Sequence, residues 1–341
     1  MSDTYFQLST QQQITALELA TVTSGRPANL FEKDIWVVWS LSTLFASPLG
    51  PHLVFKGGTA LSKAYQAIRR FSEDVDLTCD IRALAPGLVG NAHKGLDPIP
   101  PTRSQEKKWS DEIRKELLPA WLREQAHPII QAGLTRVRGA KSRVTDSCIF
   151  IDYEPVMTAS GYAAPAVMLE FGARSTGEPS NVLPARCDIE QFVEGIAFPS
   201  ATPRVMNITR IFWEKATAAH VYCRQGEPGL SLRFSRHFSD LVRLDEAGHL
   251  EAALKAKDVA EAVAVHKNAF FAEKDAEGNR IDYLEALKSG LTLLPRGNAY
   301  TALRMDYERM IQEQLFLDVP EPFDLLMARC QHIEARLKTN V

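Results

Sequence analysis

The sequence feature that most constrains the fold of this chain is a short unit that alternates strand and helix around a pair of glycines. The apolar run Leu53-Val54-Phe55 favours a strand, residues 56–59 favour a turn, and residues 60–69 favour a helix. Residues 75–79 then favour a second strand. The sequence therefore predicts a compact unit of mixed helix and strand, with a glycine turn between its first strand and its helix.

Two carboxylates occupy alternate positions on the second strand of this unit, in the segment Ser72-Glu73-Asp74-Val75-Asp76-Leu77. Because strand side chains alternate between faces, Asp74 and Asp76 point one way while Val75 and Leu77 point the other way into a core. Two carboxylates on one face can hold Mg²⁺, and a pair of such ions can clamp the attacking and leaving oxygens of a nucleotidyl transfer. Taken alone, an acidic pair of this kind is more often a solvated strand surface.

The glycine turn favours the metal interpretation of the two aspartates. Gly57, Gly58 and Thr59 follow Lys56 at the end of the first strand. Glycine lets backbone N–H groups approach a phosphate closely, and Thr59 can add a hydroxyl. The alternative is a tight turn that needs glycine only for its dihedral angles, and neither P-loop spacing nor a G-x-G-x-x-G motif is present. Together, the turn and the aspartates predict a phosphate-binding loop beside a metal site.

Three further charged residues occupy informative positions. Lys215 lies on the apolar face of a helix predicted at 209–224, where burial of its charge requires a partner such as a nucleotide phosphate. The alternative is a lysine that reaches solvent from the edge of the core. Asp240 shares a helix face with Arg236, and a surface salt bridge is its alternative. Glu170 lies in an apolar strand, where it is either a third metal ligand or an exposed alternate position.

The remaining patterns predict an α+β protein with a mixed sheet and flanking helices, followed by a helical C-terminal domain. A helix at 29–46 has Asn29 as its predicted N-cap and Glu32 as the second member of a capping box. A helix at 104–126 and strands at 147–154 and 166–172 follow, the two strands being joined by a hairpin link at 158–165. Beyond the Pro-rich residues near 200, helices are predicted at 209–224, 235–247, 250–271, 300–316 and 323–337. We therefore divide the chain into domains at 1–200 and 201–341.

Composition limits the partners of this 341-residue chain. It contains no apolar run of the roughly 18 to 20 residues that a membrane span needs, so no membrane partner is expected. Its five cysteines are scattered without a CxxC pair, which favours reduced thiols in a cytoplasm. The net charge of −3 means that any nucleic acid must be held by a local patch. One candidate patch is the basic run Arg136, Arg138, Lys141 and Arg143, for which a solvated loop is at least as good an interpretation.

The motifs together resemble a known family. The run Phe55-Lys56-Gly57-Gly58-Thr59-Ala60-Leu61, followed by Arg70-Phe71-Ser72-Glu73-Asp74-Val75-Asp76-Leu77, resembles the AbiEii/MenA-type nucleotidyltransferase toxins of type IV toxin–antitoxin and abortive-infection systems. The later segments Trp213-Glu214-Lys215 and Arg236-His237-Phe238-Ser239-Asp240-Leu241 look like that family's third and fourth motifs. The resemblance covers roughly residues 30–320 and implies a DNA polymerase β-like nucleotidyltransferase fold with a helical C-terminal half.

The resemblance also implies a role for each matching residue. The triphosphate of an NTP would be held by Lys56, Gly57, Gly58, Thr59, Lys215 and Arg236, with Ser72 supporting the turn or contacting phosphate. Magnesium would be bound by Asp74 and Asp76, with Glu170 as the third ligand, and Asp240 would be a further essential acid. Members of the family add nucleotides to the 3′ end of tRNA, which blocks aminoacylation, and a cognate antitoxin opposes them.

Two alternatives to transfer onto an RNA 3′ end stay open at this point. The first is the same chemistry with another acceptor, either a protein hydroxyl or a small molecule such as an aminoglycoside, which the overall acidity mildly favours. The second is a non-catalytic binding partner within a toxin–antitoxin system. The two same-face aspartates beside a phosphate turn argue against the second alternative.

Overall fold

The strand that carries Asp74 and Asp76 lies inside a seven-stranded mixed sheet. The computed structural model describes residues 3–72, 74–90, 95–157, 164–226 and 233–339. Its strands, in chain order, are β1 (Asp3–Thr4), β2 (Leu53–Lys56), β3 (Asp74–Cys79), β4 (Ala140–Val144), β5 (Cys148–Tyr153), β6 (Ala166–Gly172), β7 (Ser180–Val182), β8 (Ala185–Arg186), β9 (Ile196–Ala197), β10 (Ser200–Ala201) and β11 (Arg204–Met206). The main sheet has the order β4-β5-β6-β3-β2-β11-β7, while β1 pairs with β9 and β8 with β10.

Helices flank this sheet and make up most of the chain after it. They are α1 (Thr10–Ser24), α2 (Ala28–Phe45), α3 (Gly57–Lys63), α4 (Ile81–Leu84), α5 (Pro86–Val89), α6 (Arg103–Glu112), α7 (Leu118–Trp121), α8 (His127–Leu134), α9 (Ile208–Gln225), α10 (Ser235–Glu246), α11 (His249–Lys255), α12 (Lys257–Phe270), α13 (Tyr283–Ser289), α14 (Asn298–Gln312) and α15 (Phe323–Thr339). The predicted fold class, a mixed sheet with flanking helices followed by a helical C-terminal part, is confirmed. No helix among the described residues combines the length and the apolarity that crossing a membrane requires.

The chain divides into two compact units. The first consists of Met1–Ala64, Phe71–Gly87 and Asp111–Val205, and contains the sheet. The second consists of Tyr65–Arg70, Leu88–Ser110 and Met206–Val341. The predicted separation of domains at residue 200 stays a prediction, since two short segments of the N-terminal half belong to the second unit.

The central strands of the sheet are buried on one face and carry the polar residues on the other. Strand β3 runs antiparallel to β2 and parallel to β6. Val75 and Leu77 are fully buried, whereas Asp74 and Asp76 are partly exposed, as alternation along a strand predicts. Helix α3 packs against β2 and β3, which places the glycine segment beside the strand that carries the aspartates.

The glycine unit differs from its prediction at both ends of the helix. No separate turn precedes the helix, because α3 begins at Gly57 directly after β2. The helix ends at Lys63 rather than at residue 69, and Gln66 has a φ of 52°. A left-handed residue interrupts the helical path, so the chain leaves the helix soon after its second turn.

Helix α2 begins without the capping box that the sequence predicts. Pro27 occupies the N-cap position and no side chain caps the first turn, so the prediction of Asn29 as N-cap is wrong. The Glu32 carboxylate instead accepts a hydrogen bond from the Val156 N–H at 2.9 Å. Glu32, Lys33 and Asp34 are all buried, because the first turns of α2 are surrounded by protein.

Two other element predictions need correction. The helix predicted at 250–271 is two helices, α11 and α12, which are separated at Ala256 by backbone angles of −86° and 61°. The basic run was predicted to lie between elements, yet Lys141 and Arg143 lie on strand β4. The hairpin link predicted at 158–165 falls mostly on residues 158–163, which, like Glu73, lie outside the described residues.

In the second unit, α9 is the central helix. It packs against α10, α11 and α12, and most of its side chains are buried. Asn207 caps its first turn by accepting a hydrogen bond from the Thr209 N–H at 3.0 Å. Because α9 is surrounded, any charged side chain on its inner faces needs a partner within the protein or a bound ligand.

Candidate functional site

Strand pairing aligns the predicted metal-binding residues across the sheet. The register of β3 with β6 places Asp76 level with Glu170, and the register of β2 with β3 places Lys56 level with Asp76. Residues that are level on neighbouring strands share a face, so these three side chains form one row. Asp74 lies on the same face two positions along β3. The sheet therefore brings Asp74, Asp76 and Glu170 onto one surface, and strand alternation had predicted the shared face of the two aspartates.

The start of helix α3 lies directly against the Asp76 carboxylate. Gly57 has a φ of 75°, a conformation that favours glycine. A Cβ atom at this position would lie 2.0 Å from Asp76 Oδ2. Glycine at position 57 therefore serves two purposes: it allows the sharp entry from β2 into α3, and it leaves room for the carboxylate.

Thr59 supports the backbone at the start of β3. Its hydroxyl is buried and donates to the Asp74 carbonyl at 2.5 Å, and it lies 2.9 Å from the Ser72 hydroxyl. These contacts tie α3 to the residues that introduce the aspartates. A turn-supporting role of Ser72, and contacts of Thr59 and Ser72 with a nucleotide, stay predictions.

An ionic cluster anchors the other end of α3. The Lys63 ammonium contacts the carboxylates of Asp34, on α2, and Asp188, and Asp188 also pairs with Arg26 at 2.9 Å. Burial alone would lower the pKa of Lys63, but the two carboxylate charges raise it above its usual value. The helix that carries the glycines is thus fixed at both of its ends by buried polar contacts.

The carboxylate surface has the chemistry of a site for a hard divalent cation. Mg²⁺ is usually bound through one or two carboxylates together with substrate phosphates, and it keeps several waters. Within the described ranges, no three His, Cys, Asp or Glu side chains are grouped so that they could hold a metal ion by themselves. Asp74 and Asp76 are the residues that would hold the ion. Participation of Glu170, which is exposed, stays a prediction.

A second set of predicted residues meets in the helical unit. Asp240 is fully buried on α10, and the Lys215 ammonium on α9 lies 2.8 Å from its Oδ2. Arg70 donates to the same carboxylate through two bonds, Nε to Oδ1 at 2.7 Å and Nη2 to Oδ2 at 2.8 Å. One carboxylate therefore contacts two buried cations.

The electrostatics of this cluster keep Asp240 ionised. Burial alone would raise the pKa of Asp240, but the charges of Arg70 and Lys215 hold that pKa well below its usual value. Burial lowers the pKa of Lys215, and the nearby Arg70 and Arg236 act in the same direction, while Asp240 opposes them.

Sequence reasoning missed Arg70. Lys215 was predicted to need a counter-charge, and a nucleotide phosphate was suggested, but the protein itself supplies Asp240. The bidentate partner of Asp240 is not on its own helix, since Arg70 lies 170 positions earlier in the sequence. One sequence feature could have indicated a function for Arg70. It is the first residue of the Arg70-Phe71-Ser72 motif, and no role was predicted for it. A nucleotide contact of Arg236 stays a prediction.

The candidate RNA-binding patch is partly engaged within the protein. Arg143 pairs with Asp152 at 3.0 Å, and its guanidinium lies 3.8 Å from the centre of the Phe150 ring. Both partners are on the neighbouring strand β5. Arg143 is therefore held flat against the sheet, and a role of the basic run in binding RNA stays a prediction.

Comparison with known proteins identifies the family. The family described as nucleotidyl transferase AbiEii toxin, type IV toxin–antitoxin system, matches residues 39–329. The chain belongs to this family. The protein is thus a nucleotidyltransferase of the AbiEii toxin family, as the motifs predicted.

A solved structure offers a looser comparison. The nucleotidyltransferase toxin MenT4 from Mycobacterium tuberculosis H37Rv is similar at 17% sequence identity and a TM-score of 0.47, over 95% of this chain and 90% of MenT4. Because this sequence identity and this TM-score are both low, the family assignment rests on the family match alone. No match was found among curated proteins.

Proposed function

We propose that this AbiEii-family protein is a Mg²⁺-dependent toxin that transfers a nucleoside monophosphate from an NTP to an RNA 3′ end. The proposed acceptor is the tRNA acceptor stem, whose extension would block aminoacylation and translation in the cytoplasm. The observation that carries the proposal is the placement of Asp74 and Asp76 on one face of the sheet, with the Asp76 carboxylate against the backbone of Gly57.

The residues divide the chemistry between them. Asp74 and Asp76 would hold the metal, and the backbone of Gly57 and Gly58 would receive the triphosphate. When bound, Mg²⁺ would help to deprotonate the acceptor hydroxyl and would neutralise charge on the leaving pyrophosphate. The acceptor 3′ oxygen forms a bond to the α-phosphorus, and the bond from that phosphorus to pyrophosphate breaks. Lys215, whose ammonium lies 2.8 Å from the Asp240 carboxylate, would bind phosphate oxygens.

A cognate antitoxin is the proposed partner, since the family is that of type IV toxin–antitoxin systems. Transfer to a protein hydroxyl or to a small molecule would use the same residues. No contact in the described part of the chain favours either acceptor over RNA.

Labelled transfer distinguishes these acceptors. The purified protein is incubated with Mg²⁺, each α-labelled NTP in turn, and total RNA. The variant Asp76→Ala is assayed alongside Asp146→Ala, which alters an exposed aspartate in the loop between β4 and β5. We expect label in tRNA with the wild type and with Asp146→Ala, and loss of label with Asp76→Ala or with EDTA. Label in protein alone, or label that persists in Asp76→Ala, contradicts the proposal.

A further inference from the structure

The segment that supplies Arg70 is itself held in place by residues 316–318, which lie between α14 and α15. Phe316 forms an antiparallel β-bridge with Arg70, and the Leu317 N–H donates to the Arg69 carbonyl at 2.9 Å. Asp318 lies 3.9 Å from Arg69 Nε. We call residues 316–318 the C-terminal strap, because they fix the backbone from which the Arg70 side chain reaches Asp240.

The strap is in turn attached to the helices of the same unit. The Phe316 ring packs edge-on against Tyr307 of α14, with ring centres 5.5 Å apart. Asp318 Oδ1 lies 3.5 Å from Arg243 Nη2 on α10, the helix that carries Asp240. Strap, Arg70 and Asp240 therefore form a continuous set of contacts within the second unit.

The geometry at Asp240 requires an arginine rather than any cation. Two parallel bonds from one planar guanidinium fix the plane of the carboxylate, which a single ammonium cannot do. The fixed Oδ2 atom then contacts Lys215 at 2.8 Å, so the direction of the lysine side chain is set by the carboxylate. Asp240 is fully buried and contacts both cations, so we assign its effect to the position of Lys215.

We propose that Arg70, held by the C-terminal strap, is a positioning residue that orients Asp240 and thereby aims the Lys215 ammonium at the phosphates of the NTP. This inference rests on the proposed function in one respect, since it takes the NTP as the ligand of Lys215. It gives a role to Arg70, the first residue of the motif that carries the aspartates, and it adds residues 316–318, which lie outside the motifs.

Arg70→Lys tests the bidentate contact, since lysine keeps the positive charge but cannot donate two parallel hydrogen bonds to one carboxylate. We expect kcat/KM for the NTP to fall on the order of a hundred-fold, because the Lys215 ammonium no longer points at the phosphates of the NTP. The urea unfolding midpoint should fall less in Arg70→Lys than in Arg70→Gln, because the buried positive charge is kept. A value of kcat/KM equal to that of the wild type overturns the inference.

A pH profile separates positioning from a merely structural role. The charged and titratable groups near Lys215 are Asp240, Arg70, Arg236 and His237. Arg70 contributes to the lowered pKa of Lys215, so its removal in Arg70→Gln raises that pKa. In Arg70→Gln, we expect the decline of kcat/KM at alkaline pH to occur at a higher pH than in the wild type. We also expect the maximal value of kcat/KM to be lower. A lower maximal kcat/KM without a change in the pH at which kcat/KM declines overturns the inference.

The strap is tested by two substitutions at one position. Leu317→Pro removes the N–H that donates to Arg69, whereas Leu317→Ala keeps it and shortens a partly exposed side chain. We expect Leu317→Pro to lower kcat/KM in the same direction as Arg70→Lys, and Leu317→Ala to match the wild type. Equal activity of the two variants rules out a role of the strap.

Titration calorimetry with Mg²⁺ and NTP distinguishes failure of this inference from failure of the proposed function. Tighter NTP binding by the wild type than by Arg70→Lys supports the inference, even if no label reaches RNA. Equal NTP affinities, together with wild-type transfer to tRNA, overturn the inference and leave the proposed function intact. A wild type that neither binds NTP nor transfers label contradicts both.

Discussion

At the scale of single residues, the site depends on how closely Asp76 approaches the backbone of α3. The space that a methyl group would need at position 57 is filled by the Asp76 carboxylate. Thr59 fixes Asp74 through its carbonyl in the same region. Substitutions at Gly57 or Thr59 should therefore change the orientation of the Asp74 and Asp76 carboxylates before they affect the fold as a whole.

Gly57→Ala should abolish most transfer activity. The added methyl group would displace the Asp76 carboxylate, and a positive φ adds backbone strain of about 1–2 kcal/mol. We expect kcat to fall on the order of a hundred-fold or more, measured as label transfer with Mg²⁺. Gly25→Ala is the matched control, since Gly25 has a φ of 73° but no atom within 4 Å of its added Cβ. It should lose stability and keep activity; an active Gly57→Ala would disprove the importance of the close approach.

Single residues also show where sequence reasoning works. The shared face of Asp74 and Asp76 follows from strand alternation alone, and so it was predictable. The support that Thr59 gives to Asp74 was not, because a hydroxyl near glycines suggests a phosphate as readily as a carbonyl. Arg70 was not predictable either, since its partner Asp240 becomes its neighbour only in the folded chain.

At the scale of elements, helix α2 is unusual because it buries charged residues near its start. Glu32 is 2% exposed and accepts one hydrogen bond, from Val156 N–H. Burial raises the pKa of Glu32 to about 7, against an ordinary value of 4.5, although that hydrogen bond opposes the shift. The folded protein therefore binds a proton at Glu32 more tightly than the unfolded chain does.

This difference makes stability depend on pH. A carboxyl whose pKa is raised by folding contributes stability below pH 4.5, and that contribution is lost as the pH rises through about 7. Glu32→Gln keeps an acceptor for Val156 and removes the titration. We expect the variant to be more stable than the wild type at pH 8, by up to roughly 3 kcal/mol, and to differ little at pH 4.

Urea unfolding at these two pH values measures the effect. Glu18→Gln, at an exposed position on α1, is the control and should leave the pH dependence of the wild type unchanged. If Glu32→Gln and Glu18→Gln show the same stability at pH 8, the Glu32 carboxyl is not the group responsible.

Element boundaries were less predictable than element types. The strand at 166–172 has the bounds that its apolar run predicts, because composition changes sharply at its ends. Helix α3 ends early, at Lys63, and Gln66 three residues later is left-handed, although no glycine or proline in this stretch indicates an end. The break between α11 and α12 occurs at an alanine, a residue that favours helix, so tertiary packing decides it.

At the scale of the whole molecule, the second unit is built from three separate parts of the chain. Buried ion pairs join these parts: Arg210 of α9 pairs with Asp97 at 2.7 Å, and Asp240 of α10 pairs with Arg70. Arg210 is 1% exposed and Asp240 is fully buried. A boundary drawn at residue 200 separates both residues from their partners.

The fragment 201–341 should therefore not fold by itself. Removal of Asp97 takes from the buried Arg210 guanidinium a carboxylate that lies 2.7 Å away, and removal of Arg70 takes a bidentate partner from Asp240. Breaking a buried ion pair by removing one partner costs about 3–5 kcal/mol, and two such losses approach the whole stability of an ordinary domain. We expect the fragment to lack a cooperative urea transition followed by circular dichroism.

Co-expression with fragment 1–200 is the control, since it returns residues 65–70 and 88–110 and should restore a cooperative transition. A fragment 201–341 that unfolds cooperatively by itself would show that the predicted domain boundary is also a folding boundary. The buried pairs at Arg210 and Asp240 would then add little to the stability of the helical unit. Restoration only by co-expression would instead show that the helical unit needs residues 65–70 and 88–110 in order to fold.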